Sequence, residues 1–154
     1  LTGRKYNQVE SYDMDDADVC VFCMGTSVET AREVATQMRE KGIKAGVVGL
    51  RVIRPFPFME IREALKDVKA IAVLDRSSPN GAPGAMFNEI CSAMYGCEKQ
   101  PLVSGYIYGL GGRDLTKAHL VDLYTELQAN VDAGKVTTQL QQFIGVRGPK
   151  LAYL

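Results

Sequence analysis

The chain has 154 residues, and 18 lysines and arginines balance 18 aspartates and glutamates, so its formal net charge is zero. That length allows a single domain with a real core. The balance excludes the basic excess of a nucleic-acid-binding domain or of a protein held to an anionic membrane, and no apolar run approaches the roughly 20 residues of a spanning helix.

Residues 1–18 are polar, with Tyr6, Tyr12 and the acidic cluster Asp13, Asp15 and Asp16. They lack the apolar stretch of a signal peptide. They read as a lead-in from a preceding domain, and Leu1 in place of Met suggests a piece of a longer protein. Residues 19–128 read as an α/β domain. Val19 to Met24 is an unbroken apolar run of strand length, as expected for a strand covered on both faces. Gly25 turns the chain, and Thr26 or Ser27 is expected to cap a helix whose inner face is Val28, Ala31, Val34, Ala35 and Met38. Gly42 stops that helix. A second strand lies within Ile43–Ile53. Arg54-Pro55-Phe56-Pro57 breaks the chain, and a short helix follows over 58–66, with Ile61 and Leu65 inward.

Ala70 to Leu74 is a third buried strand, ended by Asp75. Arg76 to Gly84 holds only turn formers and small side chains apart from its arginine. Then comes a helix with Met86, Phe87, Ile90 and Met94 at helical spacing. A fourth strand spans Pro101–Ile107, and Pro101 suggests an edge position. After Tyr108 to Asp114, a helix from Leu115 to Leu127 is expected, then a linker from Gln128 to Gly134. Residues 129–154 read as a C-terminal tail lying on neighbours. The alternation predicts a three-layer α/β/α sandwich with a mostly parallel sheet.

Ligands of open α/β sheets gather at the carboxyl ends of the strands, which singles out two loops. Gly109, Gly111, Gly112, Arg113 and Asp114 form the first candidate, an interface or anion loop. Its glycines allow close backbone approach, and Arg113 offers a planar donor fork. A helix start beyond it could hold a phosphate or carboxylate. The spacing is Gly-x-Gly-Gly, which is not a dinucleotide fingerprint, and a tight turn fixed by an Arg113–Asp114 pair fits the same residues. The loop of Arg76, Ser77, Ser78, Gly81 and Gly84 is the second candidate. Arg51, Arg54 and Arg76 at strand ends could converge on an anion or pair with the acidic lead-in. Asp75 could serve as an acid or base but better suits a capping role, and His119 suits a helix-packed or surface one rather than a catalytic one.

No nucleophile, base and orienter set is present, so no catalytic residue is assigned. Cys20 and Cys23 have the spacing of a redox pair or half a zinc site, but they sit in an apolar run, and Cys91 and Cys97 are spaced differently. All four are expected to be free thiols of a reducing cytoplasm, with no metal.

Several stretches resemble a known family. Gly25-Thr26-Ser27 at the first helix, Leu50-Arg51-Val52-Ile53-Arg54-Pro55-Phe56-Pro57 after the second strand, and Val73-Leu74-Asp75-Arg76 with its loop resemble the transketolase C-terminal-like domain. Thr2-Gly3-Arg4-Lys5-Tyr6, Tyr106 to Asp114 and Phe143-Ile144-Gly145-Val146-Arg147 are similar to the alpha subunit of 2-oxoacid:ferredoxin oxidoreductases, pyruvate synthase in particular. The resemblance covers nearly the whole chain, although Gly148 to Leu154 extends past it. It implies a non-catalytic assembly domain within a complex that, as a whole, uses thiamine diphosphate, Mg, [4Fe-4S] clusters, coenzyme A and ferredoxin. It places no cofactor on this chain, and it implies the other domains or subunits of the oxidoreductase as partners. The alternative, from the residues alone, is an anion- or phosphate-binding module using the loops after the third and fourth strands.

Overall fold

The computed structural model describes residues 2–146. Arg147 and the extension to Leu154 lie outside the described residues. The elements run β1 (Val9–Tyr12), β2 (Val19–Met24), α1 (Ser27–Glu40), β3 (Ala45–Leu50), α2 (Phe58–Leu65), β4 (Ala70–Asp75), α3 (Ala85–Met94), β5 (Leu102–Ile107), a 3-10 turn (Leu110–Gly112), α4 (Lys117–Ala133) and β6 (Gln141–Phe143).

One six-stranded sheet has the order β1-β3-β2-β4-β5-β6. Every pairing is parallel except β1 with β3. β2, β3 and β4 are buried at every position or nearly so, because helices cover both faces. On one face α1 and α4 bury Val34, Met38, Leu120, Tyr124 and Leu127 against Val21, Val47 and Leu74. On the other, α2 and α3 bury Ile61, Leu65, Ile90 and Met94 against Phe22, Val48 and Ile71. Burying a large side chain of this kind contributes about 1.5–3 kcal/mol. The expected three-layer sandwich with a mostly parallel sheet is therefore the observed fold.

The structure corrects several details. The polar lead-in contributes β1, an edge strand pairing Val9 with Leu50 and Tyr12 with Val47. Part of the acidic lead-in pairs with basic residues, as Glu10 with Arg51 and Asp16 with Arg39 at 2.9 Å, while Arg54 pairs instead with Glu89. The second strand of the sequence reading stops at Leu50, before Val52 and Ile53. Thr26 is the cap residue of α1 but makes no side-chain cap hydrogen bond, and the Ser27 hydroxyl is engaged elsewhere. β5 lies inside the sheet between β4 and β6; Pro101 only precedes it, where no ladder donor is needed.

The last helix begins at Lys117 and runs through the expected linker to Ala133, closing on Gly134 at φ 65°. Asn130 anchors the segment beyond that glycine: its Oδ1 accepts from the Thr137 backbone N–H at 2.8 Å and from its hydroxyl at 2.7 Å. Glu126 accepts from Tyr106, Thr138 and Gln142. These bonds bring the chain back to the sheet as β6, parallel to β5. Because β6 lies beyond β5 while α4 lies on the α1 face, this connection has the opposite hand to the three before it.

Candidate functional site

β2 lies where the strand order turns back on itself, between β3 and β4, the position at which open α/β sheets form a crevice. The loops after β2, β4 and β5 meet there. Ser27, at the start of α1, and Tyr108, just beyond β5, share a hydrogen bond of 2.7 Å between their hydroxyls. They are 7 % and 6 % exposed, so both side chains are buried at this end of the sheet. Burial pushes the Tyr108 hydroxyl above the usual tyrosine range, and the Ser27 hydrogen bond opposes the shift.

Asp75, at the end of β4, has both carboxylate oxygens occupied. They accept from the backbone N–H groups of Met86 and Phe87, each at 3.1 Å, in the first turn of α3. Burial raises its carboxyl above the usual aspartate value, and the two N–H donors pull the other way. The capping role read from the sequence is the one observed. Gly84 is required here, since a Cβ would overlap the Asp75 carboxylate. The Gln141 side chain of β6 accepts from Gly84 N–H at 3.1 Å, tying the loop to the last strand.

The first candidate loop is brought together only in part, with the Arg113 guanidinium 3.6 Å from where a Cβ on Gly111 would sit. Gly109, Gly111 and Gly112 have φ of 73°, 65° and 74°, which only glycine adopts freely. Gly109 also allows contact with Arg76, whose Nε would stand 2.8 Å from a Cβ there. Arg113 is half-buried and donates to the Leu110 carbonyl at 3.4 Å. Its aliphatic stem and the His119 ring both flank Gly145, each 3.7 Å from where a Cβ would sit. Asp114 is exposed, and among the described residues no ion pair joins it to Arg113. The helix beyond is capped by Thr116 and His119 through a reciprocal pair of hydrogen bonds at 3.3 and 3.2 Å. That occupies the Thr116 and His119 N–H groups, two of the donors an anion at this helix start would use.

In the second candidate loop, Arg76, Ser77, Ser78 and Gly81 are exposed and Gly84 is buried. Arg76 extends over the Tyr108 ring at 5.7 Å from its centre, so the two loops touch through Arg76 and Gly109. The sequence points to Ser27 only as a helix cap and to Gly145 only as part of the closing segment, and it does not point to Gln141. The spacing of 81 positions between Ser27 and Tyr108 left no local signal; the aromatic pair Tyr106 and Tyr108 was visible only as part of the motif.

The cysteines do not converge. Cys20 faces the α2 and α3 side of the sheet and Cys23 the α1 and α4 side. Burial pushes the Cys23 thiol up to about 12 and moves Cys20 in the same direction. Cys97 accepts from two nitrogens of Arg62, at 3.2 and 3.1 Å. Among the described residues no three His, Cys, Asp or Glu side chains come together as a ligand group, so this donor set does not fit an iron–sulfur cluster. No described helix is long and apolar enough to cross a membrane.

Comparison with known proteins places the geometry. The family described as pyruvate:ferredoxin oxidoreductase core domain II matches residues 17–120. The chain is 37 % identical over 145 residues to pyruvate synthase subunit PorA of Pyrococcus furiosus, covering 94 % of this chain and 36 % of that subunit. It is also 37 % identical over 138 residues to ketoisovalerate oxidoreductase subunit VorA of the same organism, covering 89 % and 35 %. The chain thus spans about a third of the length of these relatives. Among solved structures, a split-gene transketolase, described as an inactive beta4 tetramer, aligns with TM-score 0.63 at 16 % identity, over 84 % of this chain and 44 % of that one. The 2-oxoglutarate:ferredoxin oxidoreductase of Magnetococcus marinus aligns at 0.58 and 16 %, over 79 % and 20 %. At that identity the two structures show the fold alone.

Proposed function

We infer that this chain, which belongs to the pyruvate:ferredoxin oxidoreductase core domain II family, is a structural and assembly domain of a thiamine diphosphate-dependent 2-oxoacid:ferredoxin oxidoreductase. The observation that carries this reading is that the polar side chains at the crevice are bonded within the fold. At the place where an α/β sheet keeps its ligand, Ser27 and Tyr108 satisfy each other and Asp75 is spent on α3. A group fully committed to the fold is not poised to move a proton or attack a substrate.

In this reading the whole enzyme converts a 2-oxoacid to the acyl-coenzyme A, or runs the reverse synthesis. Thiamine diphosphate, Mg, [4Fe-4S] clusters and coenzyme A are held by other parts, and ferredoxin takes the electrons. The partners of this chain are the other domains and subunits. Relatives named for pyruvate and for ketoisovalerate match equally well, so the substrate belongs to those other parts too. The Gly109–Asp114 and Arg76–Gly84 loops are the surfaces offered to neighbours. One feature favours the second reading, an anion-binding module: Arg76 is exposed and makes no ion pair with a described residue.

The purified chain, given pyruvate, thiamine diphosphate, Mg, coenzyme A and ferredoxin, is expected to give no turnover and to associate with the remaining subunits. Turnover by the chain alone overturns the reading. Association abolished by millimolar phosphate, with phosphate bound stoichiometrically, favours the anion module.

A further inference from the structure

We propose that Asn80 and Gly81 form a self-modifying site, at which the asparagine amide is lost to give an aspartyl and isoaspartyl mixture without any enzyme. This rests on the Arg76–Gly84 loop of the free chain, before any neighbour covers it, and not on the assembly role.

The chemistry needs three conditions: a backbone nitrogen that can reach the side-chain amide carbon, freedom of the backbone to close a five-membered ring, and water. Asn80 is followed by Gly81, which has no side chain to obstruct the approach. Of the four asparagines in the chain it alone precedes glycine. Asn80 and Gly81 are both exposed. The region around a Cβ at Gly81 is open, with no heavy atom within 4 Å, and its φ is +74°. The turn has one backbone tie, Ala82 N–H to the Pro79 carbonyl at 3.1 Å; the Gly81 N–H makes no hydrogen bond to a described residue. Glycine's conformational freedom lets this backbone sample the geometry of attack.

In the reaction the Gly81 nitrogen gives its proton to water and bonds to the Asn80 side-chain amide carbon. The carbon–nitrogen bond of the amide then breaks, and ammonia leaves with a proton from solvent. The ring product adds one water. Opening at the side-chain carbonyl gives aspartate, and opening at the main-chain carbonyl gives the isoaspartyl linkage, with the backbone lengthened by one carbon. One water enters and one ammonia leaves; nothing is oxidised or reduced.

The other asparagines are internal controls. Asn88 lies in α3 with its amide donating to the Pro83 carbonyl. Asn130 is fully buried in α4. Asn7 is exposed but precedes Gln8. The product carboxylate would stand four residues from Arg76 and would take the formal net charge from zero to minus one.

The test ages the purified full-length protein at mildly alkaline pH in water enriched in oxygen-18 and maps its peptides by mass spectrometry. Asn80 is expected to convert roughly tenfold faster than the other three, about 1.36 kcal/mol less in activation free energy. The expected product pair has one heavy oxygen, and the isoaspartyl form accepts a methyl group from a protein isoaspartyl methyltransferase. Asn80→Gln, at an exposed position with circular dichroism as the folding check, is expected to abolish the product pair. Conversion at Asn80 no faster than at Asn7, or the same product pair in Asn80→Gln, overturns the proposal.

Discussion

β4 and β5 end side by side, and each leads through glycines and an arginine into a helix. The two loops use their charged residues in opposite ways. After β4 the acid turns inward: Asp75 is 4 % exposed and holds the first turn of α3, leaving Arg76 in solvent. After β5 the helix caps itself through Thr116 and His119, so the loop needs no acid. There the arginine turns partly inward, its stem against Gly145 and its guanidinium on the Leu110 carbonyl. The difference arises from where the helix donors are satisfied. A strand-end acid is captured by the next helix when that helix lacks its own cap, and α3, beginning after Gly84, has no side-chain cap of its own.

The largest expected effect concerns the loop after β5. In the whole complex, Arg113→Ala is expected to weaken subunit association by about 2–5 kcal/mol if its guanidinium is buried at a contact, and by about 0–1 kcal/mol if it stays at an exposed rim. Analytical ultracentrifugation separates the two, with circular dichroism as the folding control. Next, Tyr108→Phe should destabilise the fold by about 1–3 kcal/mol, because it strands the buried Ser27 hydroxyl. Adding Ser27→Ala should recover part of that loss in urea unfolding; no recovery would mean that the two hydroxyls do not form a unit. In the loop after β4, Asp75→Ala removes the acceptor of two helix N–H groups and should cost about 0.5–2 kcal/mol.

Arg76→Ala loses only a surface stacking contact, about 0.5–1 kcal/mol. A loss as large as that of Asp75→Ala would erase the contrast between the two loops.

The smallest expected effect is in pH. Because burial raises the Asp75 carboxyl above 3.8, the folded chain holds that proton more tightly than the unfolded one. The stability contributed by this proton is fully present below the ordinary value and is lost as pH rises through the raised one. Glu10, Asp16 and Asp67 shift the other way, chiefly through hydrogen bonds from Arg51, Arg39 and Lys99. The Asp75 part is therefore read as the difference between wild type and Asp75→Asn in denaturant titrations across this window. Identical pH profiles would remove Asp75 from the balance.

Legibility in the sequence divides along the same line. Val19–Met24 and Ala70–Asp75 announce themselves because a strand buried on both faces has no polar position. β1 and β6 could not be read that way: Val9-Glu10-Ser11-Tyr12 and Gln141-Gln142-Phe143 carry polar side chains and are recruited by the neighbouring strand. The end of α4 was hidden because Asn130 looks like a turn residue, although here it is buried and anchors Thr137. The local chemistry of Asp75 was legible. The setting of Arg113 was not, since Gly145 reaches it only after α4 and β6 have formed.

If both loops serve the architecture of the enzyme and not its chemistry, the most direct test is turnover per assembled complex of the whole oxidoreductase carrying Arg76→Ala and Arg113→Ala together. The amount of complex is measured by native mass spectrometry and activity by 2-oxoacid-dependent ferredoxin reduction. The expected result is less complex but unchanged kcat for each complex that forms. A fully assembled complex with kcat reduced tenfold or more, about 1.36 kcal/mol of lost transition-state stabilisation, would contradict it.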